Sequence, residues 1–327
     1  MDNLPTKDNK PKEIAYPSFF LAAIQAARPI HWIKNFALFA ALIFTGDLFE
    51  PLFFVRVFLA FVTFNLATSA TYIINDIFDA KSDRLHPIKK ERPIASGRLS
   101  VTFAVIEALG FVILALLLAA GLNSLFYYTV LAYLAIQVLY SVGLKNIPIL
   151  DILIIATGFI IRIYAGAFVI NAHLSVWFLL CVISVALFLA SGKRRAEINM
   201  VKDTKVVTRK SLRLYKKDLL NSYVTMFGNA SWMSWALFTF FESPKASLPV
   251  WLFLAELSRT TTINKLLMIT IPVVIFGIMR YEYLIFEGRS EAPEKVLLTD
   301  KALISTVIIW IALIIWIFYG GVSVQGI

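Results

Sequence analysis

A single cysteine, Cys181, stands in 327 residues, and it lies inside an apolar run. One thiol excludes any disulfide framework within the chain and any cysteine metal cluster, so Cys181 reads as a small core residue. Charge is scarce too. Only 16% of residues are Asp, Glu, Lys or Arg, against 59% apolar residues and a mean hydropathy of +0.76. That balance excludes an ordinary water-soluble domain. Short alternating apolar segments of the kind that build a membrane β-barrel are missing. No small-residue cleavage pattern ends the first apolar stretch, so a removable signal peptide is not expected. The net charge of +10 invites a nucleic-acid reading. The basic residues, however, border apolar runs, which speaks of membrane topology and anionic ligands instead.

What the chain has is apolar stretches about long enough to cross a bilayer as helices. They fall near 30–46, 52–75, 101–121, 125–142, 150–170, 174–191, 222–241, 265–283 and 302–320. The expected fold is all-α: a polytopic membrane bundle of about nine transmembrane helices. Lys and Arg number 26 on the side of the N-terminal tail and four on the other, with Arg162 inside a span. Positive residues stay on the cytoplasmic side. The N-terminus is therefore expected in the cytoplasm and the C-terminus outside, in a bacterial-type inner membrane. Residues 1–17 read as a disordered tail. Residues 18–327 read as one membrane-embedded catalytic domain with cytoplasmic loops at 76–100 and 192–221. The second loop is strongly basic, and spaced apolar residues such as Val206, Leu212 and Leu214 allow an interfacial helix within it.

The most informative segment is 70–100. On a helix Asn75, Asp79 and Asp83 recur at i, i+4 and i+8 and share a face, with Tyr72 a turn earlier. Asp76 points about 100° away. Two carboxylates and an amide on one face repel unless a cation sits between them. Oxygen donors with no Cys or His beside them favour Mg²⁺, which keeps waters and bridges to substrate phosphates. A merely solvated acidic helix end is the plainer reading, but carboxylates at membrane depth are costly without a partner. Immediately downstream come Arg84, His86, Lys89, Lys90, Arg92 and Arg98. An acidic helix leading into a basic loop suits a metal-bridged polyphosphate, although anchoring to lipid headgroups accounts for some of the same charges. His86, beside Pro87, reads as a loop hydrogen bonder.

This pattern, with nine spans and the upstream Arg28-Pro29-x-x-Trp32-x-Lys34-Asn35, resembles the UbiA superfamily of intramembrane prenyltransferases. The resemblance implies a helical bundle around a central cavity open to the cytoplasmic side, where aspartates hold Mg²⁺ and a diphosphate. Typical members carry a second Asp-rich motif after the sixth span. Here the chain has Ser191-Gly192-Lys193-Arg194-Arg195-Ala196-Glu197. Basic groups in that place would attract a further phosphate, while topology and a Lys193 to Glu197 pair offer a blander reading. That departure, with Tyr140-Ser141-x-Gly143-Leu144-Lys145-x-x-Pro148-x-Leu150-Asp151, resembles the decaprenyl-phosphate phosphoribosyltransferase branch. The resemblance runs from about Arg28 to Lys301 and includes a Glu294 to Asp300 stretch.

The branch implies phosphoribosyl diphosphate as donor, a polyprenyl phosphate as acceptor and Mg²⁺ as cofactor, serving a cell-envelope polysaccharide, with no nucleic acid as partner. Asp79, Asp83 and Asp76 would be catalytic, and Asn75, Asp79 and Asp83 would hold the metal. Lys34, Tyr72, Lys89, Arg92, Lys145, Arg162, Lys193 and Arg194 would bind substrate. Arg162 lies about 12 residues into its span, roughly 18 Å deep, where a charge is functional by default. A homo-oligomer is left open. The rival readings are prenyl transfer from a prenyl diphosphate to an aromatic acceptor, and a non-catalytic lipid or ion transporter.

Overall fold

The computed structural model describes residues 19–86, 89–204, 210–242, 245–246, 265–287, 299–320 and 323–324. The 1–17 tail, Val206 and Glu294 lie outside them. The architecture is an all-helical membrane bundle. Its helices are α1 (Phe19–Ala27), a 3₁₀ segment (Pro29–Leu38), α2 (Phe39–Phe44), α3 (Pro51–Asp83), α4 (Val101–Ala120), α5 (Ser124–Val142) and α6 (Leu150–Val169). Then follow α7 (Val176–Thr204), α8 (Lys210–Leu214), α9 (Lys217–Phe241), α10 (Ile271–Phe286) and α11 (Lys301–Tyr319). Among the described residues seven helices are long and apolar enough to cross a membrane. A two-residue antiparallel pairing, Lys245–Ala246 with Ser323–Val324, adds a minor tie.

Pairing follows side-chain size. The α4 stripe Ala104, Ala108, Ala115 and Ala119 is buried against α3, while Ile106, Leu109, Ile113 and Leu117 face outward. Small residues inward and large ones toward lipid are what membrane helix packing favours. Helices start where the chain supplies caps: the side chains of Ser100, Asn123 and Asp300 accept from the backbone N–H groups of Phe103, Phe126 and Leu303.

Three boundaries differ from the sequence expectation. The first span is not one helix. Pro29 has no N–H to continue a ladder, Arg28 takes a left-handed conformation (φ 53°, ψ 59°), and a ten-residue 3₁₀ segment replaces the α-helix. That segment is held by close approach to α6: a Cβ on Gly166 would lie 1.9 Å from the Leu38 carbonyl oxygen. Second, α3 runs eight residues past the expected end of its span, carrying the acidic motif with it. Third, α7 continues to Thr204, so the first part of the expected 192–221 loop is helical. In its later part Leu212 is buried and Leu214 exposed.

Candidate active site

The C-terminal end of α3, the 3₁₀ segment and the facing ends of α5, α6 and α7 enclose a polar cavity of ≈ 260 Å³. Of the residues singled out in the sequence, Lys34, Tyr72, Asn75, Lys89, Arg92, Arg162 and Lys193 line it. Arg28, His31, Tyr133, Gln137, Tyr140 and Glu197 line it as well. Arg28 and Tyr140 stood inside the quoted motifs without a role, and Glu197 only as a pairing partner for Lys193. His31, Tyr133 and Gln137 carried no sequence signal, because a neutral polar residue on an apolar helix has many ordinary explanations.

The acidic motif divides into two groups. Asn75 donates to Asp79 at 3.1 Å, and the Lys145 ammonium sits between them, 2.5 Å from Asp79 Oδ1 and 3.3 Å from Asn75 Oδ1. Asp76 and Asp83 face elsewhere. Arg28 reaches Asp76 at 2.6 Å, and Arg92 bridges Asp76 at 3.1 Å and Asp83 at 2.5 Å. Helical geometry explains the split. A separation of seven residues returns to within roughly 20° of the same direction, whereas eight residues miss it by about 80°. Asp76 thus shares a face with Asp83 more closely than Asn75 does. The left-handed Arg28 and the Pro29 turn bring the guanidinium back over α3, where it also covers the Tyr72 ring at 5.1 Å. A non-glycine residue held there stores on the order of 1 kcal/mol of strain, and the ion pair offsets it.

Among the described residues no three His, Cys, Asp or Glu side chains converge as a metal cage. Asn75 Oδ1 and Asp79 Oδ1 nevertheless converge on one cation, the Lys145 ammonium. Two protein oxygens around a position that already attracts positive charge fit Mg²⁺, which takes its remaining ligands from phosphates and water.

Arg162, at 5% exposure, meets the cavity from the membrane side. Its guanidinium donates to Asn35 Oδ1 at 2.6 Å, to the Gly158 carbonyl at 2.5 Å and to the Tyr133 hydroxyl at 2.9 Å. Among the described residues these hydrogen-bond partners include no carboxylate, so the charge is oriented by neutral dipoles and left to attract an anion. Trp32, part of the upstream motif, donates to the Ser69 hydroxyl at 3.0 Å. Lys34 approaches the Tyr72 hydroxyl at 3.4 Å.

Arg194 behaves differently from the other cations. Sequence grouped it with the phosphate binders, but it is fully buried and does not line the cavity. It pairs with Asp151 at 2.6 Å and Glu197 at 2.5 Å and donates to the Tyr140 hydroxyl at 2.7 Å. Asp151, also fully buried, accepts from Tyr215 at 2.6 Å and Ser211 at 3.3 Å, and Ser211 donates to the Lys145 carbonyl at 3.0 Å. Burial pushes the Tyr215 hydroxyl pKa up, and donation to Asp151 pushes it further. Ile149, held at φ 69°, donates its N–H to Tyr215 at 2.5 Å. The network thus fixes the short turn that delivers Lys145 to Asp79. Asp300, part of the stretch quoted for the resemblance, caps α11 and pairs with Arg280 at 2.7 Å, away from the cavity.

Beyond Phe159, which lines both spaces, lies an apolar cavity of ≈ 400 Å³ among α6, α7, α9, α10 and α11. Cys181 lines this second space, as a small residue of an apolar wall.

Residues 35–258 match the UbiA prenyltransferase family. A decaprenyl-phosphate phosphoribosyltransferase of Corynebacterium glutamicum is 34% identical over 90% of this chain and 86% of its own length. Its namesake in Mycolicibacterium smegmatis is 34% identical over 89% of this chain and 90% of its own. Among solved structures, a UbiA homologue from Archaeoglobus fulgidus bound to DMAPP and Mg²⁺ superposes with a TM-score of 0.64 at 17% identity. That overlap covers 93% of this chain and 99% of that one, and it speaks for the fold.

Proposed function

We propose, on the premise that this chain belongs to the UbiA prenyltransferase family, that it moves a 5-phosphoribosyl group from phosphoribosyl diphosphate to a polyprenyl phosphate of the decaprenyl type. The observation that carries the reading is the cavity's charge. Arg28, Lys34, Lys89, Arg92, Arg162 and Lys193 line one space that adjoins a large apolar one. Six cations exceed what one diphosphate requires. They suit a donor with a diphosphate and a separate 5-phosphate beside an acceptor whose phosphate sits on a long apolar tail. The names of the relatives agree with this reading.

In this mechanism Asn75 and Asp79 would hold Mg²⁺, which would supply charge neutralisation for the leaving diphosphate; Asp83, expected as a third donor, is turned to Arg92 instead. Asp76 and Asp83 keep Arg28 and Arg92 aimed at the diphosphate. Lys145 and Lys89 add positive charge at the same end. Tyr72, stacked under Arg28, forms the floor. Arg162 and Lys193, on the far side, receive the ribose 5-phosphate or the acceptor phosphate. The bond from the anomeric carbon to the diphosphate oxygen breaks, and a bond to an acceptor phosphate oxygen forms. The intervening charge is oxocarbenium-like, and stabilising the departing diphosphate supplies most of the rate. A phosphate monoester is anionic at neutral pH, so no protein base is needed. The polyprenyl tail lies along the apolar cavity past Phe159.

The excess of Lys and Arg on one side of the bundle supports a cytoplasmic N-terminus, an outer C-terminus and a cavity facing the cytoplasm. On this reading the product feeds envelope polysaccharide synthesis, and residues 18–327 work as one catalytic domain.

The test is transfer in detergent from labelled phosphoribosyl diphosphate to a polyprenyl phosphate, with and without Mg²⁺, for the native chain and Asp79→Asn. A labelled lipid that requires the metal and falls by about 10²- to 10³-fold in the variant is expected. No product from this donor, together with prenyl transfer to an aromatic acceptor, would move the chain to the prenyltransferases. Ligand binding with no turnover of either donor would favour a transporter.

A further inference from the structure

Among the described residues lining the polar cavity, Glu197 is the sole carboxylate, against six cations. In a site built for phosphates, a lone negative charge weakens binding unless it meets a hydrogen-bond donor. Its surroundings say which donor. One guanidinium, Arg194, holds both Glu197 (2.5 Å) and the Tyr140 hydroxyl (2.7 Å). The two groups therefore sit side by side, and Gln137 and Ser141 of the same helix α5 also line the cavity. Arg194 is anchored below by the sealed Asp151, so Glu197 cannot swing far from the wall.

The cavity is thereby segregated. Arg28, Lys89 and Arg92 gather around the end of α3, and the wall made by α5 and α7 carries Gln137, Tyr140, Ser141 and Glu197 with one cation, Lys193. A ligand matching both has an anionic part and an uncharged hydroxylated part. We infer that Glu197, with Tyr140 beside it, accepts hydrogen bonds from the vicinal hydroxyls of the donor's pentose and makes the site selective for a sugar diphosphate over a prenyl diphosphate. A carboxylate takes two adjacent hydroxyls well. A prenyl chain offers none, and would leave Glu197 with its protein partners alone. This assignment rests on the donor reading above.

The experiment compares phosphoribosyl diphosphate with its 2-deoxy and 3-deoxy analogues in the native enzyme, Glu197→Gln and Glu197→Ala. The native enzyme is expected to prefer the full donor by about 10- to 100-fold in kcat/KM, the usual worth of a hydrogen bond to a charged group. In Glu197→Ala that preference should collapse toward one, chiefly through a raised KM for the full donor. Glu197→Gln, which keeps the volume and an acceptor oxygen for Arg194, should fall between. An unchanged preference in both variants would overturn the proposal, as would a native enzyme indifferent to the hydroxyls. A tenfold shift in the Mg²⁺ requirement at constant preference would assign Glu197 to the metal instead. A Glu197→Gln chain that no longer folds would assign it to structure. If the native enzyme transfers no ribosyl group but does transfer a prenyl group, the donor reading itself has failed.

Discussion

Two clusters of carboxylates and guanidinium groups stand at the same end of this bundle, and they differ in what water can reach. In the first, Asp76 and Asp83 meet Arg28 and Arg92, whose side chains keep 19% and 24% of their surface and line the cavity. In the second, Asp151 and Arg194 are both fully enclosed and closed off by Tyr215 and Ser211. The residue types are the same. An open pair can exchange its partner for a ligand; a sealed pair can only hold other groups in place, because breaking it leaves a bare charge without water. On the proposed reading the chemistry belongs to the open cluster, and its alignment depends on the closed one.

The comparison can be broken most severely at Arg194. Arg194→Met strands Asp151 inside the bundle, and a loss of about 3–5 kcal/mol is expected, read as a large fall in melting temperature in detergent together with loss of activity at all donor concentrations. Arg92→Met should separate the two properties. Arg92 itself lines the cavity and Asp76 keeps Arg28 as a partner, so the fold should survive with a smaller stability loss, about 1–3 kcal/mol, while donor KM rises steeply. If Arg92→Met melted as early as Arg194→Met, the distinction between open and sealed pairs would not hold. The smallest effect is expected at the half-buried Arg280–Asp300 pair, away from the cavity. Hydrogen bonding from Arg280 holds the Asp300 carboxyl below the usual carboxylate range. A depressed pKa stabilises the folded chain above the ordinary value near 4 and ceases to do so as pH falls through the folded value. Asp300→Asn should therefore lower the melting temperature slightly at neutral pH, less at pH 3, and leave transfer unchanged.

Much of the open cluster was legible before folding. The spacing of Asn75, Asp76, Asp79 and Asp83 depends only on helical period, and α3 carries all four by running past the expected end of its span. What spacing alone misjudged was pairing: Asp83 sides with Asp76 through Arg92 instead of completing a row with Asn75 and Asp79. Arg28 was visible as part of a motif but not as the partner of Asp76, 48 positions away. Its reach depends on a left-handed residue before Pro29 that propensity does not anticipate. The break of the first span into a 3₁₀ segment was likewise hidden, since it answers to Gly166 on a distant helix.

Composition and local periodicity determined by themselves that the chain is a membrane bundle, where its helices run, and where its acidic and basic motifs lie, because each follows from hydrophobicity and a 3.6-residue repeat. Only the tertiary structure decided which charges are spent on one another and which face the cavity. Arg194 and Lys193 are neighbours in the chain, yet one is sealed between Asp151 and Glu197 and the other lines the cavity. Successive helical positions point about 100° apart, and what each direction meets is set by helices far away in sequence.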